Sequence, residues 1–237
     1  MSNSLRFRKL AGIGLFLFIT SSLAAVDNNT ALLIKNKVSQ IESEMIRVRR
    51  FIHMNPELGN REFETAKLIA SKLLALGLDV ETGVAHTGVV GVLHGELPGE
   101  TVAVRADMDA LPIQELTSVS FRSLNPGIMH ACGHDMHTAI VLGTAYVLSS
   151  LKAQLKGNIK FIFQPAEEGV PRGEEGGASL MIKKGILQNP DVKAIFGLHV
   201  WPVDIGQVLF FPWCRYGRRR RVFGHRKGKE LSRSPTP

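Results

Sequence analysis

One stretch of eleven residues, MHACGHDMHTA at positions 129–139, gathers side chains that could bind a metal ion. It contains three histidines, one cysteine and one aspartate, and a single glycine separates Cys132 from His134. Thiolate and imidazole are the side chains that a borderline-soft divalent ion prefers as ligands. The alternative for any one of these histidines is a solvated position at the start of a helix. The concentration of ligand types in one segment favours a metal site over that alternative.

Polar side chains also end three predicted strands elsewhere in the chain. Each strand is a short run rich in Val, Ile and Phe. The runs and their polar residues are 101–106 with Asp107, 158–164 with Glu167, and 194–200 with His199. In open α/β sheets, ligands bind at the carboxyl ends of the strands. The sequence therefore predicts that these residues meet at one edge of a sheet.

Glu167 and Glu168 form an acidic pair in the loop PAEEG. Hydrolysis at a metal centre needs ligands for the ion and a separate carboxylate that accepts a proton from water. Neighbouring side chains at the end of a strand diverge, so one glutamate could bind metal while the other faces the substrate. A solvated acidic loop is the alternative for an isolated pair. The presence of Cys132, His134 and His199 in the same chain favours the catalytic interpretation.

Strands alternate with helices along the chain, which predicts an α/β fold with a mixed, mostly parallel sheet flanked by helices. The first helix has apolar residues spaced by three and four, a cap at Asn29 or Thr30, and a stop before Pro56. A second helix is predicted to start near Asn60 and to bury one apolar stripe. The stripe is Phe63, Ala66, Ala70 and Leu73.

The positive charge of the chain is concentrated in its last segment. The formal net charge is +8 over 237 residues. The segment from Cys214 onward contains nine lysines and arginines and a single acidic residue, Glu230. The residues before it contain 20 basic and 20 acidic side chains. A neutral body argues against a nucleic-acid-binding domain. Cys132 is the only cysteine of that body, which favours a metal ligand or a nucleophile over a structural disulfide.

The first 24 residues have the layout of a secretory signal peptide. A basic start at 6–9 precedes an apolar core at 10–20 and a small-residue end at 21–25, with cleavage expected after Ala24. A membrane anchor is the alternative, but the apolar core is about 11 residues long and a bilayer span needs roughly 20. We therefore expect an exported protein, periplasmic or secreted, without a membrane span after cleavage.

Five motifs follow one another between residues 49 and 202. They are 49–65 (RRFIHMNPELGNREFET), 104–115 (VRADMDALPIQE), 129–139, 163–169 (FQPAEEG) and 197–202 (GLHVWP). In this order they resemble the M20 metallopeptidase family, in the amidohydrolase branch of hippurate, N-acyl-amino-acid and indole-acetyl-amino-acid hydrolases. The resemblance covers residues 35–210 and implies a zinc-peptidase-like fold.

The resemblance also implies a centre of two divalent ions, which would be zinc, manganese or cobalt. The implied metal ligands are Cys132, His134, Glu168 and His199. Glu167 would be the general base, and Asp107 and Asp109 would support the ligands. The residues expected to orient the site or cap the helix are His130, Asp135 and His137. The implied reaction is hydrolysis of the amide bond of a small N-acyl amino acid.

The sequence departs from the family after residue 211. Family members continue into a smaller domain that closes over the substrate and mediates dimerisation, so the resemblance predicts that this lid and dimerisation domain is missing. We expect a signal peptide at 1–24, the N-terminal part of the catalytic domain at 30–211, and a disordered basic tail at 212–237 that a change of reading frame would explain. In this form we expect little or no activity.

Two other interpretations stay open. The chain could be a metal-binding remnant without catalysis, which release of amino acid from hippurate would exclude. Alternatively, the four arginines at 218–221 could bind nucleic acid or an anionic surface. We expect no nucleic-acid partner, because an export signal argues against one; a salt-dependent affinity for DNA that is lost with the tail would contradict this.

Overall fold

The structure is a computed structural model that describes residues 27–204, 206–210, 223–226 and 229–230. The expected signal peptide at 1–24 lies outside the described residues, as does most of the basic tail. Among the described helices, none combines the length and the apolar character that a bilayer crossing requires. The boundaries proposed for the leader and the tail stay predictions.

The core of the protein is a five-stranded sheet with the order β1-β2-β4-β3-β5. The strands are β1 (Asp79–Val84), β2 (Gly88–His94), β3 (Leu97–Asp107), β4 (Lys156–Gln164) and β5 (Val192–Gly197). Strand β3 is parallel to β4 and β5, whereas β2 is antiparallel to β1 and β4. The mixed α/β sheet is thus confirmed, with its parallel part confined to β4, β3 and β5. The carboxyl ends of these three strands share one edge of the sheet.

Three helices cover one face of the sheet, and a fourth covers the other. They are α1 (Asn28–Met54), α2 (Phe63–Ala75), α3 (His134–Ser149) and, on the second face, α4 (Gly177–Lys183). Successive side chains of a strand point to opposite faces. Strand β4 accordingly sends Phe161 and Phe163 into the layer with α1–α3, and Ile162 into the layer with Met181 of α4. A 3₁₀ turn (Lys152–Gln154) leads from α3 to β4.

The helix starts differ in detail from the sequence-based expectation. Helix α1 is capped by Asp27, whose carboxylate accepts hydrogen bonds from the backbone N–H groups of Asn29 and Thr30, both at 3.0 Å. Asn29 and Thr30 were expected as caps, but they lie inside the first turn. Phe63 was expected in the core, yet it is 60% exposed. It is the first residue of α2, and Ile69, Ala70 and Leu73 make the contacts with the core further along that helix.

A buried lysine fastens the segment that enters β5. Lys160 of β4 donates hydrogen bonds from Nζ to three backbone carbonyls, those of Ile186 (3.0 Å), Gln188 (2.6 Å) and Pro190 (3.2 Å). Burial lowers the pKa of Lys160 from its ordinary value. Because β5 leads to His199, this clamp fixes one end of the strand that delivers a predicted ligand.

Three further described strands form a second, smaller sheet with the order β6-β7-β8. Its antiparallel strands are β6 (Val208–Phe210), β7 (Phe223–Arg226) and β8 (Lys229–Glu230). The last two are the only parts of the range 212–237 that are described.

Candidate metal centre

The carboxyl edge of the parallel strands brings the predicted ligands together around His134. Three sets of candidate ligand atoms occur among the described residues, and within each set all atoms lie within 4.8 Å of one another. They are Cys132 with His134 and His199, His134 with Glu167 and Glu168, and Asp107 with His134 and His137. His134 is common to the three sets, and the other three predicted ligands, Cys132, Glu168 and His199, each have a ligand atom within 4.8 Å of one of its ring nitrogens.

His134 is buried at the first turn of α3 and presents one nitrogen to this cluster. Its Nδ1 donates a hydrogen bond to Asp109 Oδ1 at 3.2 Å. Its Nε2 is buried and has no hydrogen-bond partner in the described part of the chain. This nitrogen lies 3.6 Å from Glu168 Oε1 and 3.9 Å from Glu167 Oε2. A buried imidazole nitrogen without a partner, facing carboxylates while the other nitrogen is held by an aspartate, is the arrangement of a metal-binding histidine.

The local backbone explains how His134 reaches this position. Gly133 precedes it with φ of 82°, in the left-handed region that favours glycine. A Cβ atom at Gly133 would lie 2.4 Å from Cγ2 of Val200. Glycine is therefore needed here both for the turn and for the close approach of the segment that carries His199.

Cys132 and His199 form the second half of the cluster. The Sγ atom of Cys132 lies 3.4 Å from Nε2 of His199. The Nδ1 atom of His199 donates to the carbonyl of Val200 at 2.6 Å, which leaves Nε2 with its lone pair toward the thiol. Burial and the neighbouring Glu168 raise the pKa of the Cys132 thiol to about 12. A thiol surrounded by carboxylates becomes a thiolate ligand only when a cation is bound, so the donor set fits a divalent ion.

His137 is occupied by other contacts and is no free ligand. Its Nδ1 donates to Asp107 Oδ1 at 2.6 Å, and its Nε2 accepts a hydrogen bond from the backbone N–H of Val200 at 2.9 Å. Asp107 also accepts from Arg105 at 2.6 Å. Burial raises the pKa of Asp107, but the His137 hydrogen bond and the Arg105 charge outweigh it and hold that pKa at about 2. His137 thus orients the segment next to His199.

Asp109 supports two predicted ligands at once. One carboxylate oxygen accepts from His134, and the other accepts from the backbone N–H of Glu168 at 2.9 Å. The two glutamates were expected to diverge, but one carboxylate oxygen of each lies within 4.8 Å of the other and of the same ring nitrogen of His134, so the two differ in exposure and not in direction. The Glu168 side chain is 23% exposed and the Glu167 side chain is 40% exposed. The more buried carboxylate suits a ligand, and the more exposed one can meet a substrate.

Residues 103–209 match Peptidase family M20/M25/M40. In this part the chain is similar to that family. Thermostable carboxypeptidase 2 of Saccharolobus solfataricus is 50% identical over 168 residues, which is 70% of this chain and 42% of that protein. The N-acyl-L-amino acid amidohydrolase of Geobacillus stearothermophilus is 43% identical over 176 residues, covering 74% and 46%.

A solved structure agrees with these relatives. The Bacillus subtilis YXEP protein, described as a dinuclear metal binding peptidase from the M20 family, matches with a TM-score of 0.63 and 42% identity. The match covers 69% of this chain and 44% of that one. The chain therefore spans less than half the length of the relatives and of the M20 structure that it resembles.

Glu62 is a buried residue to which the sequence patterns assign no role. One oxygen accepts a hydrogen bond from the backbone N–H of Ala166 at 2.8 Å, and the other accepts from the hydroxyl of Thr87. Burial raises the pKa of Glu62 above its ordinary value. Ala166 has φ of 49°, so Glu62 holds a backbone turn in an unfavourable conformation just before Glu167. The only signal in the sequence is that Glu62 belongs to the motif at 49–65.

We expect Glu62→Ala to destabilise the protein by about 2 kcal/mol, because it leaves the buried Ala166 N–H without a partner. Urea denaturation of the metal-free protein measures this loss. Glu64→Ala is the matched control, since the Glu64 side chain is 70% exposed and lies 3.9 Å from Lys67. Equal stability of the two variants would contradict the role of Glu62 in holding the turn.

Proposed function

We propose that this chain carries the metal centre of an amidohydrolase that cleaves the amide bond of N-acyl amino acids. The observation that supports it best is the buried Nε2 of His134, which has no partner in the described structure and faces Glu167 and Glu168. The centre would hold two divalent ions, which would be zinc, manganese or cobalt. The residues that would bind them are Cys132, His134, Glu168 and His199.

The residues of the chain divide the work of hydrolysis among them. Divalent ions, when bound, polarise an amide carbonyl and lower the pKa of water. Glu167 takes the proton of the attacking water on a carboxylate oxygen and returns it to the departing amine nitrogen. Asp109 keeps the tautomer and orientation of His134 fixed and holds the backbone of Glu168. Gly133 and His137 keep the segment of His199 against the site.

The substrate class and the location are parts of the same proposal. Relatives named N-acyl-L-amino acid amidohydrolase and N-acetyl-L-cysteine deacetylase support a small N-acyl amino acid as the substrate. The basic start, apolar core and small-residue end of residues 6–25 support export to the periplasm or the medium. Residues 1–213 carry no net charge, which argues against nucleic acid as a partner.

Metal content and glycine release from hippurate test the proposal on the purified chain. After loading with Zn²⁺ or Mn²⁺, single-turnover assays with the protein in excess over hippurate should detect slow hydrolysis. Glu167→Gln should keep the metal and lose about 10²–10⁴-fold in rate, because the proton acceptor is gone. Glu64→Gln, on the exposed side of α2, is the control and should keep the rate.

Two results would contradict the proposal. Unchanged hydrolysis by Glu167→Gln would remove the assigned base. A chain that binds metal but releases no glycine would instead support the interpretation as a metal-binding remnant.

A further inference from the structure

The loop that carries Glu167 and Glu168 is fixed at both ends by one short segment of the chain. Residues 166–176, which lie between β4 and α4, are called the glutamate loop below. At its start, the backbone N–H of Ala166 donates to Glu62 at 2.8 Å. At its end, residue 60 donates from Nδ2 to the backbone carbonyl of residue 175 at 3.0 Å. Two residues of one turn therefore hold opposite ends of a loop that follows them by 104 to 115 residues.

Glu174, near the end of the loop, is held to the same turn. Its carboxylate accepts from Nδ2 of Asn60 at 3.0 Å and from both terminal nitrogens of Arg61. The hydrogen bonds from Arg61 and Asn60 hold the pKa of Glu174 at about 2, so this group is a carboxylate at neutral pH. The side chains of Arg61 and Glu174 are 49% and 29% exposed, and such ion pairs contribute little. Asn60 is only 1% exposed, and loss of a buried hydrogen bond costs more.

The backbone around Asn60 adopts unfavourable conformations. Five non-glycine residues in the described ranges have a positive φ. Four of them lie in the glutamate loop or in the turns that contact it, namely Asn60 (60°), Ala85 (53°), His86 (79°) and Ala166 (49°). His86 belongs to this group because its Nε2 donates to the carbonyl of Glu175 at 2.9 Å. Strained residues persist only where their surroundings fix them, and they cluster at functional sites.

Two glycines allow the glutamate loop to approach the turn closely. A Cβ atom at Gly59 would collide with the backbone oxygen of Gly169. A Cβ atom at Gly176 would lie 2.6 Å from Oδ1 of Asn60. Asn60 thus contacts the loop at Gly176 as well as at its two hydrogen-bond acceptors, and a change in its side chain acts directly on the loop.

The position of the loop decides where two carboxylates of the candidate metal centre lie. Glu167 and Glu168 lie 3.9 and 3.6 Å from Nε2 of His134. Asp109 holds only the backbone N–H of Glu168, at 2.9 Å. Carboxylate oxygens bind zinc at about 2.0–2.2 Å, so a small shift of the loop takes a ligand out of range.

From these observations we propose that Asn60 is a positioning residue of the metal centre. It fixes the end of the glutamate loop, as Glu62 fixes the start, and thereby places Glu167 and Glu168. Asn60 is not one of the proposed ligands and acts through the loop alone. The inference rests on the proposed function and adds a residue, distant in the sequence, on which metal binding depends.

Asn60→Asp tests this with little change of shape, because asparagine and aspartate both tolerate a positive φ. The change turns the donor toward residues 174 and 175 into a carboxylate oxygen that repels both acceptors. We expect ~10-fold weaker binding of Zn²⁺ in competition with a chromophoric chelator, since residues that orient ligands change affinity by about 10–100-fold. Amide hydrogen exchange across residues 166–176 should become faster. Asn55→Asp is the matched control and should change neither, because its amide donates to the carbonyl of Phe51 within the end of α1.

A second change separates positioning of the loop from a general loss of stability. Glu174→Gln added to Asn60→Asp returns an N–H donor to this contact, with the direction of the hydrogen bond reversed. We expect this double variant to recover zinc affinity by ~3-fold or more, the contribution of one hydrogen bond. A residue that acted only on stability would lower the free energy of unfolding and leave the zinc affinity of the folded protein unchanged.

Several outcomes decide the proposal. Asn60→Gly makes the same test where Asn60→Asp does not fold, because glycine favours a positive φ and removes both hydrogen bonds. Unchanged zinc affinity in these variants, or a double variant that binds no better than Asn60→Asp, would overturn the positioning role.

Failure of the proposed function gives a different result. Weaker zinc binding by Asn60→Asp, together with no release of glycine from hippurate by the unaltered chain, would keep the positioning role and contradict only catalysis. An unaltered chain that binds no metal would contradict the proposed function. Hydrogen exchange then decides the role of Asn60, and equal exchange of the loop in Asn60→Asp and in the unaltered chain would overturn it.

Discussion

Replacement of His134 by alanine is expected to lower the affinity of the chain for Zn²⁺ or Mn²⁺ by more than ~100-fold. His134 belongs to all three sets of candidate ligand atoms. Its removal therefore takes one ligand away from each set. Changes to residues that only support a ligand typically lower metal affinity by about 10–100-fold, and loss of a ligand exceeds that. Asp109→Asn should fall within the smaller range, because Asp109 forms a hydrogen bond with His134 and is not one of the proposed ligands.

Competition with a chromophoric chelator measures these affinities on the metal-free proteins. His94→Ala is the matched control. His94 is exposed at the last residue of β2 and contacts Asp79 and Asn158, each at 2.8 Å. Because β2 is antiparallel to β4, this position lies at the end of the sheet opposite the site. We expect the loss of metal affinity to be largest in His134→Ala and smaller in Asp109→Asn. His94→Ala should show no measurable change in that affinity. An unchanged metal content in His134→Ala would remove His134 from the centre.

The site could be predicted from the sequence because its residues follow strands at positions that topology brings together. Three apolar runs end on Asp107, Glu167 and His199, and parallel strands place such ends at one edge of a sheet. The ligand pair Cys132 and His134 stands out by its residue types alone. The spacing of residues in the sequence does not distinguish His134 from His137. In the structure, Nε2 of His134 has no hydrogen-bond partner among the described residues, whereas both ring nitrogens of His137 have one.

Strand β1 was not predicted, and its sequence explains why. The segment Asp79–Val84 reads DVETGV, has two acids and a glycine, and exposes most of its side chains. It lies at the edge of the sheet and pairs only with β2 among the described strands. An edge strand with little buried surface lacks the apolar alternation from which strands are predicted.

The burial of two charged side chains, Glu62 and Lys160, could not be predicted from the sequence either. Glu62 receives its hydrogen bond from Ala166, which is 104 residues away, and Lys160 binds carbonyls of a loop 26 to 30 residues further on. A glutamate in a helical segment or a lysine in a strand is normally exposed. Their burial depends on partners that only the folded chain brings near, so local patterns indicate the wrong environment for both.

Asp135→Ala is expected to destabilise the metal-free protein by about 3–5 kcal/mol, the cost of removing one partner from a buried charged network. Asp135 is buried beside His134, and one of its oxygens accepts from both Arg49 (2.7 Å) and His53 (2.9 Å) of α1. The carboxylate is thus the polar link between α1 and α3. Without it, the partly buried guanidinium of Arg49 and the buried imidazole of His53 face each other with no anion between them.

Urea denaturation at neutral pH measures the loss, with Asp191→Ala as the control. Asp191 is exposed and pairs with Lys193 at 2.7 Å, two residues away. Removal of such a surface pair should change the free energy of unfolding by less than about 0.5 kcal/mol. A loss in Asp135→Ala no greater than in Asp191→Ala would show that the network contributes nothing to folding.

The pH dependence of this difference identifies its electrostatic origin. Burial raises the pKa of Asp135, but the hydrogen bond from His53 and the nearby His130 and Arg49 lower it below the ordinary 3.8. A carboxyl whose folded-state pKa is lowered stabilises the protein above the unfolded-state pKa and loses that contribution as the pH falls through the folded-state value. The same hydrogen bond raises the pKa of His53 above the ordinary 6.5, and that contribution is full below 6.5 and is lost as the pH rises through the folded-state value. The stability gap between the unaltered chain and Asp135→Ala should therefore be widest between the ordinary pKa values of 3.8 and 6.5 and should narrow when the pH falls below 3.8. A gap that stays constant into the acid range would instead assign the loss to packing of α1 against α3.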